Sequence, residues 1–72
     1  MEAMKIIRRI VKKYAEDPSD IVYLEAEAYR ILRSDHAPEV KARLIATILE
    51  MELPQVSREE LEEVKRVILG AR

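Results

Sequence analysis

Hydrophobic positions recur at helical spacing in four segments of the chain. In the first, residues 2–15, apolar side chains fall on one arc and lysines and arginines fill the other side. This division, at about 100° per residue, predicts an amphipathic surface helix. Its apolar positions are Met4, Ile6, Ile7, Ile10, Val11 and Tyr14.

The second segment begins at Asp17 and Pro18 and reaches about Arg33. Aspartate is a good N-cap residue, and proline suits the first helical position because no N–H is needed there. A second apolar strip runs beside the main stripe of this helix, with Glu25 between them. The main stripe is Ile21, Leu24, Ala28, Ile31 and Leu32, and the second strip is Val22, Ala26 and Tyr29.

The third segment follows the break at 34–38 and runs to about Glu52. Either Asp35 caps it with Pro38 in the first turn, or Pro38 is itself the first helical residue. The segment is apolar on two sides, which predicts a helix buried from two directions. One side is Val40, Leu44, Ile48 and Met51, and the other is Ala42, Ile45, Ala46, Leu49 and Leu53.

The fourth segment follows a loop at 53–56 and opens with Ser57 and Glu60 at capping-box spacing. Gly70 is the expected helix stop. Its inward positions are Leu61, Val64, Val67, Ile68 and Leu69. Together the four segments predict an all-α fold: a small bundle of four short helices, arranged as two helical hairpins, in a single domain spanning 1–72.

Charge and composition narrow the classes of function. Charged residues make up 38% of the chain but nearly cancel to a net −1, which argues against a nucleic-acid binder. No apolar run approaches the roughly 20 residues that cross a bilayer, and the chain has no cysteine. Residues 1–16 carry a net +3 and residues 17–36 a net −3. This segregation favours an antiparallel pair of the first two helices.

Residues that could carry chemistry all have a plainer structural explanation. His36 is the only histidine and lies in a polar break, without the partners that metal binding or catalysis needs. Glu25 lies within an apolar sector, where a carboxylate usually reaches a nearby arginine. The acidic run Glu59, Glu60, Glu62 and Glu63 suits a helix N-terminus. We therefore expect no enzyme, no metal, no cofactor and no small-molecule ligand.

Capping, patterning and helix propensity agree almost everywhere along the chain. The stretch Ser57–Val64, with its serine cap and regular glutamates, is one example. In this respect the whole chain resembles de novo designed helical bundles, including those made as symmetric homo-oligomers. The resemblance implies a structural protein without biochemical activity.

The apolar strips of the second and third helices point to self-association, since so small a bundle has few deep positions. We expect a homo-oligomer, with a C2 dimer favoured. The expected interface residues are Val22, Ala26, Tyr29, Ile45 and Leu49. The alternatives are a monomeric bundle with the third helix fully covered, and a natural thermophile adaptor that binds a partner helix in an apolar groove.

Overall fold

The computed structural model describes residues 2–70, and within that range the chain is helical with no strand. The helices are α1 (Glu2–Tyr14), α2 (Pro18–Leu32), α3 (Pro38–Glu52) and α4 (Arg58–Gly70). The predicted all-α bundle of four short helices is confirmed, and its boundaries agree to within a residue or two. The stop expected after Gly70 concerns residues 71 and 72, which lie outside the described range.

Each helix after the first begins at a proline or a capping residue. The Asp17 carboxylate accepts a hydrogen bond from the Ser19 N–H at 3.1 Å, directly before Pro18. At α3, Pro38 is the first helical residue, and no side chain caps the helix. At α4 the capping box is complete: the Ser57 N–H donates to Glu60 Oε1 at 3.0 Å, and the Glu60 N–H donates to Ser57 Oγ at 3.1 Å.

The helices form a four-membered ring around one core. Helix α1 packs against α2 and α4, and α3 also packs against α2 and α4, most extensively against α4. Helices α1 and α3 therefore lie on one diagonal of the bundle. The short connections 15–17, 33–37 and 53–57 make consecutive helices antiparallel.

Helix α1 contributes most to the core. Its apolar face is buried except for the half-buried Tyr14 at its end, and its exposed residues are all charged: Glu2, Lys5, Arg8, Arg9, Lys12 and Lys13. The largest fully buried side chains of the domain come from all four helices: Ile7, Ile10, Val11, Leu24, Ile45, Leu49 and Val64. The core is thus built by one face of each helix.

One expectation about α3 is wrong for the single chain. The helix packs against α2 on one side and α4 on the other, and the flank that faces neither stays partly uncovered. The strip with Ala42, Ile45 and Leu49 faces the core. Ile45 is 1% exposed and Leu49 is 2% exposed, so these two predicted interface residues are core residues instead. The opposite strip, from Val40 to Met51, is the one left partly uncovered.

Candidate interaction surface

The outer surface between α1 and α4 is closed by polar contacts within the chain. Arg9 Nη2 lies 3.0 Å from Glu63 Oε1, and Lys13 Nζ lies 3.0 Å from Glu60 Oε2. The Tyr14 hydroxyl donates to Glu60 Oε1 at 2.6 Å. Three of these five residues belong to α1 and two to the acidic run of α4, so the run serves as the partner of the cationic helix.

Glu60 is the centre of this network. Hydrogen bonds from the Tyr14 hydroxyl and the Ser57 backbone, and one from Lys13, lower the pKa of Glu60 from 4.5 to about 2. The same carboxylate raises the pKa of Lys13. Each hydrogen bond favours the ionised carboxylate, and together they outweigh its partial burial. The site is a structural clamp between the end of α1 and the start of α4.

The contact between α1 and α2 is less polar than the charge segregation predicts. Its one cross-helix ion pair among residues 2–70 joins Arg8 Nε and Glu25 Oε1 at 3.6 Å. Glu25 thus reaches an arginine, as expected. The other oxygen, Glu25 Oε2, is buried without a hydrogen-bond partner. The cations of α1 therefore make their closest cross-helix pairs with α4 rather than with α2.

The outermost side of α2 carries the apolar strip that the sequence singled out. Val22 is 69% exposed, Tyr29 is 45% exposed, and Ala26 is exposed between them. Tyr29 already has a neighbour, since Arg33 Nη1 donates to its hydroxyl at 2.9 Å and the guanidinium lies over the ring. The strip is accessible, but the structure separates it from the buried Ile45 and Leu49.

A second apolar surface, the α2–α3 face, lies where α2 and α3 pack side by side. On α3 it is the strip that the core does not take, with Leu44 and Ile48 half-buried and Met51 73% exposed. On α2, Tyr23 is 51% exposed and follows Asp20 by one turn on the side toward α3. The α2–α3 face comprises Tyr23, Ala26, Val40, Leu44, Ile48 and Met51.

The floor of the α2–α3 face is a shallow cleft between the helices. Only apolar side chains line it: Leu24, Ala28, Ile45, Ile48 and Leu49. It has no room for a water molecule. The two helices are thus in contact along the cleft, and it has no space to admit a third helix. Any partner would lie across the face and cover Met51 and Tyr23 from outside.

The remaining candidate residues do not converge on a chemical site. His36 is exposed in the loop before α3, where its backbone N–H donates to Ser34 Oγ at 3.4 Å. Among residues 2–70, no group of three or more histidine, aspartate or glutamate side chains could hold a metal ion. None of the helices in this range is long and apolar enough to cross a membrane.

No family model matches the chain, and no curated protein or solved structure is significantly similar to it.

The sequence pattern contained the α2–α3 face but did not identify it. Both strips of α3 are equally apolar, so periodicity alone cannot assign one to the core and the other to the surface. Two features of the sequence distinguish the inner strip of α3 from the outer one. Alanine at 42 and 46 allows close packing of α4 on the inner strip, and the outer strip ends at Met51 beside exposed acids.

Proposed function

We propose that this chain is a structural module that associates with a second copy of itself through the α2–α3 face. The main support for this proposal is the exposed strip of α3, where Met51 is 73% exposed and Leu44 and Ile48 are half-buried. Clustered exposed apolar side chains are typical of a protein-binding surface, whereas scattered ones are not. The consistent caps and patterning further support a designed origin.

Charge on the neighbouring surfaces supports the choice of face. Helix α1 exposes only charged residues, and its outer edge toward α4 is bridged by ion pairs. Pairing there would desolvate charges that already have partners, which costs free energy. The α2–α3 face has an apolar middle, and covering it removes nonpolar area from water.

The size of the face sets the expected affinity. Two 15-residue helices present a rectangle of about 22 by 20 Å, from a rise of ~1.5 Å per residue and a helix separation of ~10 Å. Two copies would bury on the order of 900 Å², which is below the usual range for stable complexes. We therefore expect a weak dimer, with a Kd of roughly 10–100 μM.

Sedimentation equilibrium over a wide concentration range tests this proposal. The wild-type mass should rise from that of the 8.4 kDa chain toward twice that value. Met51→Glu should stay monomeric because it places a carboxylate at the most exposed apolar position of the face. Leu69→Glu is the matched control, since Leu69 is an exposed apolar residue on α4 and lies outside the face.

The expected result is a dimer for wild type and Leu69→Glu and a monomer for Met51→Glu, all with the same helix content by circular dichroism. A wild-type monomer at about 1 mM, far above the expected Kd, would overturn the proposal in favour of a monomeric bundle. Equal dimerisation of all three would show that the chain associates through another surface.

A further inference from the structure

Charge is distributed unevenly along the α2–α3 hairpin. One end comprises the start of α2 and the end of α3, residues 16–25 and 46–55, and contains no lysine or arginine. Three of its acids, Glu16, Asp20 and Glu52, line one cleft beside Tyr14. The six carboxylates of this acidic end are Glu16, Asp17, Asp20, Glu50, Glu52 and Glu25, the last of which pairs with Arg8 of α1.

The other end of the hairpin holds all of its cations. Lys41 Nζ donates to the carbonyl oxygen of Leu32 at 2.8 Å, which places the start of α3 beside the end of α2. Residues 26–45 contain four cations and three acids. The cations of this basic end are Arg30, Arg33, Lys41 and Arg43.

The apolar positions of the face span the boundary between these two ends: Tyr23, Ile48 and Met51 belong to the acidic end, and Ala26, Val40 and Leu44 to the basic end. Asp20 and Arg30 lie on either side of Glu25, the middle residue of α2, at equal distances along the helix. A copy that covers the apolar middle therefore also brings its charged ends over those of its partner. The orientation of the second copy decides which ends meet.

We infer that two copies pair with their α2–α3 faces in contact and their helices reversed, so that each acidic end lies over its partner's basic end. The two-fold axis then lies in the interface, perpendicular to the helices, and passes near the middle of both helices, at the level of residue 25 in α2. Pairing with the helices in the same direction would instead bring together two acidic ends that carry no cation. Like charges in register disfavour that arrangement, whereas opposite charges select the reversed one.

Arg30 can move from its contact within the chain to a contact with the second copy at little cost in free energy. Its guanidinium pairs with Glu27 one turn earlier on the same helix, and the side chain is largely exposed. Exposed pairs at this spacing contribute little stability, so Arg30 can instead reach a partner's carboxylate. Because the arrangement is symmetric, the same contact with the partner's Asp20 would occur twice.

This inference rests on the proposed self-association and is tested by disulfide cross-linking between single-cysteine variants. The chain has no cysteine of its own, so each introduced thiol is unique. Ser19→Cys marks the acidic end and Ala37→Cys marks the basic end, and both positions are exposed. Neither substitution changes the net charge. The two variants are mixed in equal amounts above the dimer Kd, oxidised briefly, and analysed by intact mass.

The expected result is a disulfide that joins Ser19→Cys to Ala37→Cys in well over half of the cross-linked chains. Predominant homodisulfides would overturn the inference, as would the 1:2:1 ratio that random collisions give. Each variant's mass is measured first by sedimentation equilibrium. A monomer there refutes the proposed function, whereas a dimer that forms homodisulfides refutes only the reversed orientation.

Salt dependence supplies a second readout on the wild-type chain. Reversed pairing predicts that raising the salt from about 0.05 to about 0.5 M weakens the dimer several-fold, since it screens attractions between exposed charges. Pairing in the same direction predicts a tighter dimer at high salt, because salt then screens repulsion between the acidic ends. No change, or tightening, contradicts the inference.

Discussion

Helices α1 and α3 lie on the same diagonal of the bundle, yet they meet solvent in different ways. Every exposed residue of α1 is charged, and its apolar face is buried apart from the half-buried Tyr14. Helix α3 buries one apolar strip and leaves a second partly uncovered, ending at the exposed Met51. The chain therefore completes the environment of α1 by itself but leaves that of α3 incomplete.

This difference is the reason why the proposed partner is placed on the α2–α3 face. Around α1, Arg9 and Lys13 pair with glutamates of α4, and Tyr14 donates to the same carboxylate as Lys13. Between α2 and α3, the one side-chain hydrogen bond among residues 2–70 is that from Lys41 to a backbone carbonyl. Polar groups that already have partners gain little free energy from further burial. Exposed apolar side chains, in contrast, are stabilised when a partner removes them from water.

The largest difference in stability is expected between two glutamate substitutions that lie two residues apart on α3. Leu49→Glu should unfold the chain, because it buries a carboxylate without a partner, at a cost of several kcal/mol against a total stability of about 5 kcal/mol. Met51→Glu should remain folded with nearly wild-type stability, measured by urea unfolding at a concentration where the chain is monomeric. If Leu49→Glu gives a folded monomer, the assignment of Leu49 to the core is wrong.

A smaller effect is expected at the α1–α4 clamp when the pH falls. The pKa of Glu60 is lowered to about 2 in the folded chain, so its stabilising contribution is complete above about pH 4.5 and is lost as the pH falls toward 2. Urea unfolding should show that Glu60→Gln lowers stability at pH 7 by about 2 kcal/mol and has little effect near pH 2.

Glu62→Gln is the control for the clamp, since Glu62 pairs within its own helix, with Lys65. It should follow the wild-type dependence on pH. A Glu60→Gln variant whose stability falls as steeply as that of wild type between pH 5 and pH 2 would show that the clamp contributes nothing to acid sensitivity.

The smallest effect is expected at Glu25, between the two regions. Its ion pair with Arg8 is loose, and one carboxylate oxygen is buried without a hydrogen bond. Glu25→Met keeps the volume and removes the unsatisfied oxygen, so stability should change by less than about 0.5 kcal/mol or increase. A calorimetric loss of more than about 2 kcal/mol would mean that the pair with Arg8 holds α1 against α2.

Sequence patterns were enough to predict the helices and most of the core. Asp17, Pro38 and Ser57 mark helix starts by local chemistry, which acts over a few residues and needs no tertiary information. The buried side of α1 can be predicted because its apolar and charged positions fall on separate sides of the helix. The sequence therefore specified the secondary structure and the inward face of the most amphipathic helix.

The candidate surface could be predicted only in part, because it depends on which helices become neighbours. Val22, Ala26 and Tyr29 are accessible as expected, whereas Ile45 and Leu49 are buried. Periodicity gives the relative angles of residues within α3 but not the side from which α2 and α4 approach. The same limit explains why charge segregation favours pairing of α1 with α2, whereas the closest ion pairs of α1 form with α4.

Self-association through the α2–α3 face is tested most directly by a dilution series of the isotope-labelled wild-type chain, followed by amide chemical shifts. Between about 1 mM and about 5 μM, a range that spans the expected Kd, the largest changes should fall on the α2–α3 face, at Tyr23, Ala26, Leu44, Ile48 and Met51. Amides on the charged side of α1 should not move. Shifts that are constant over the whole range, or that change mainly along α1 and α4, would contradict self-association through the α2–α3 face.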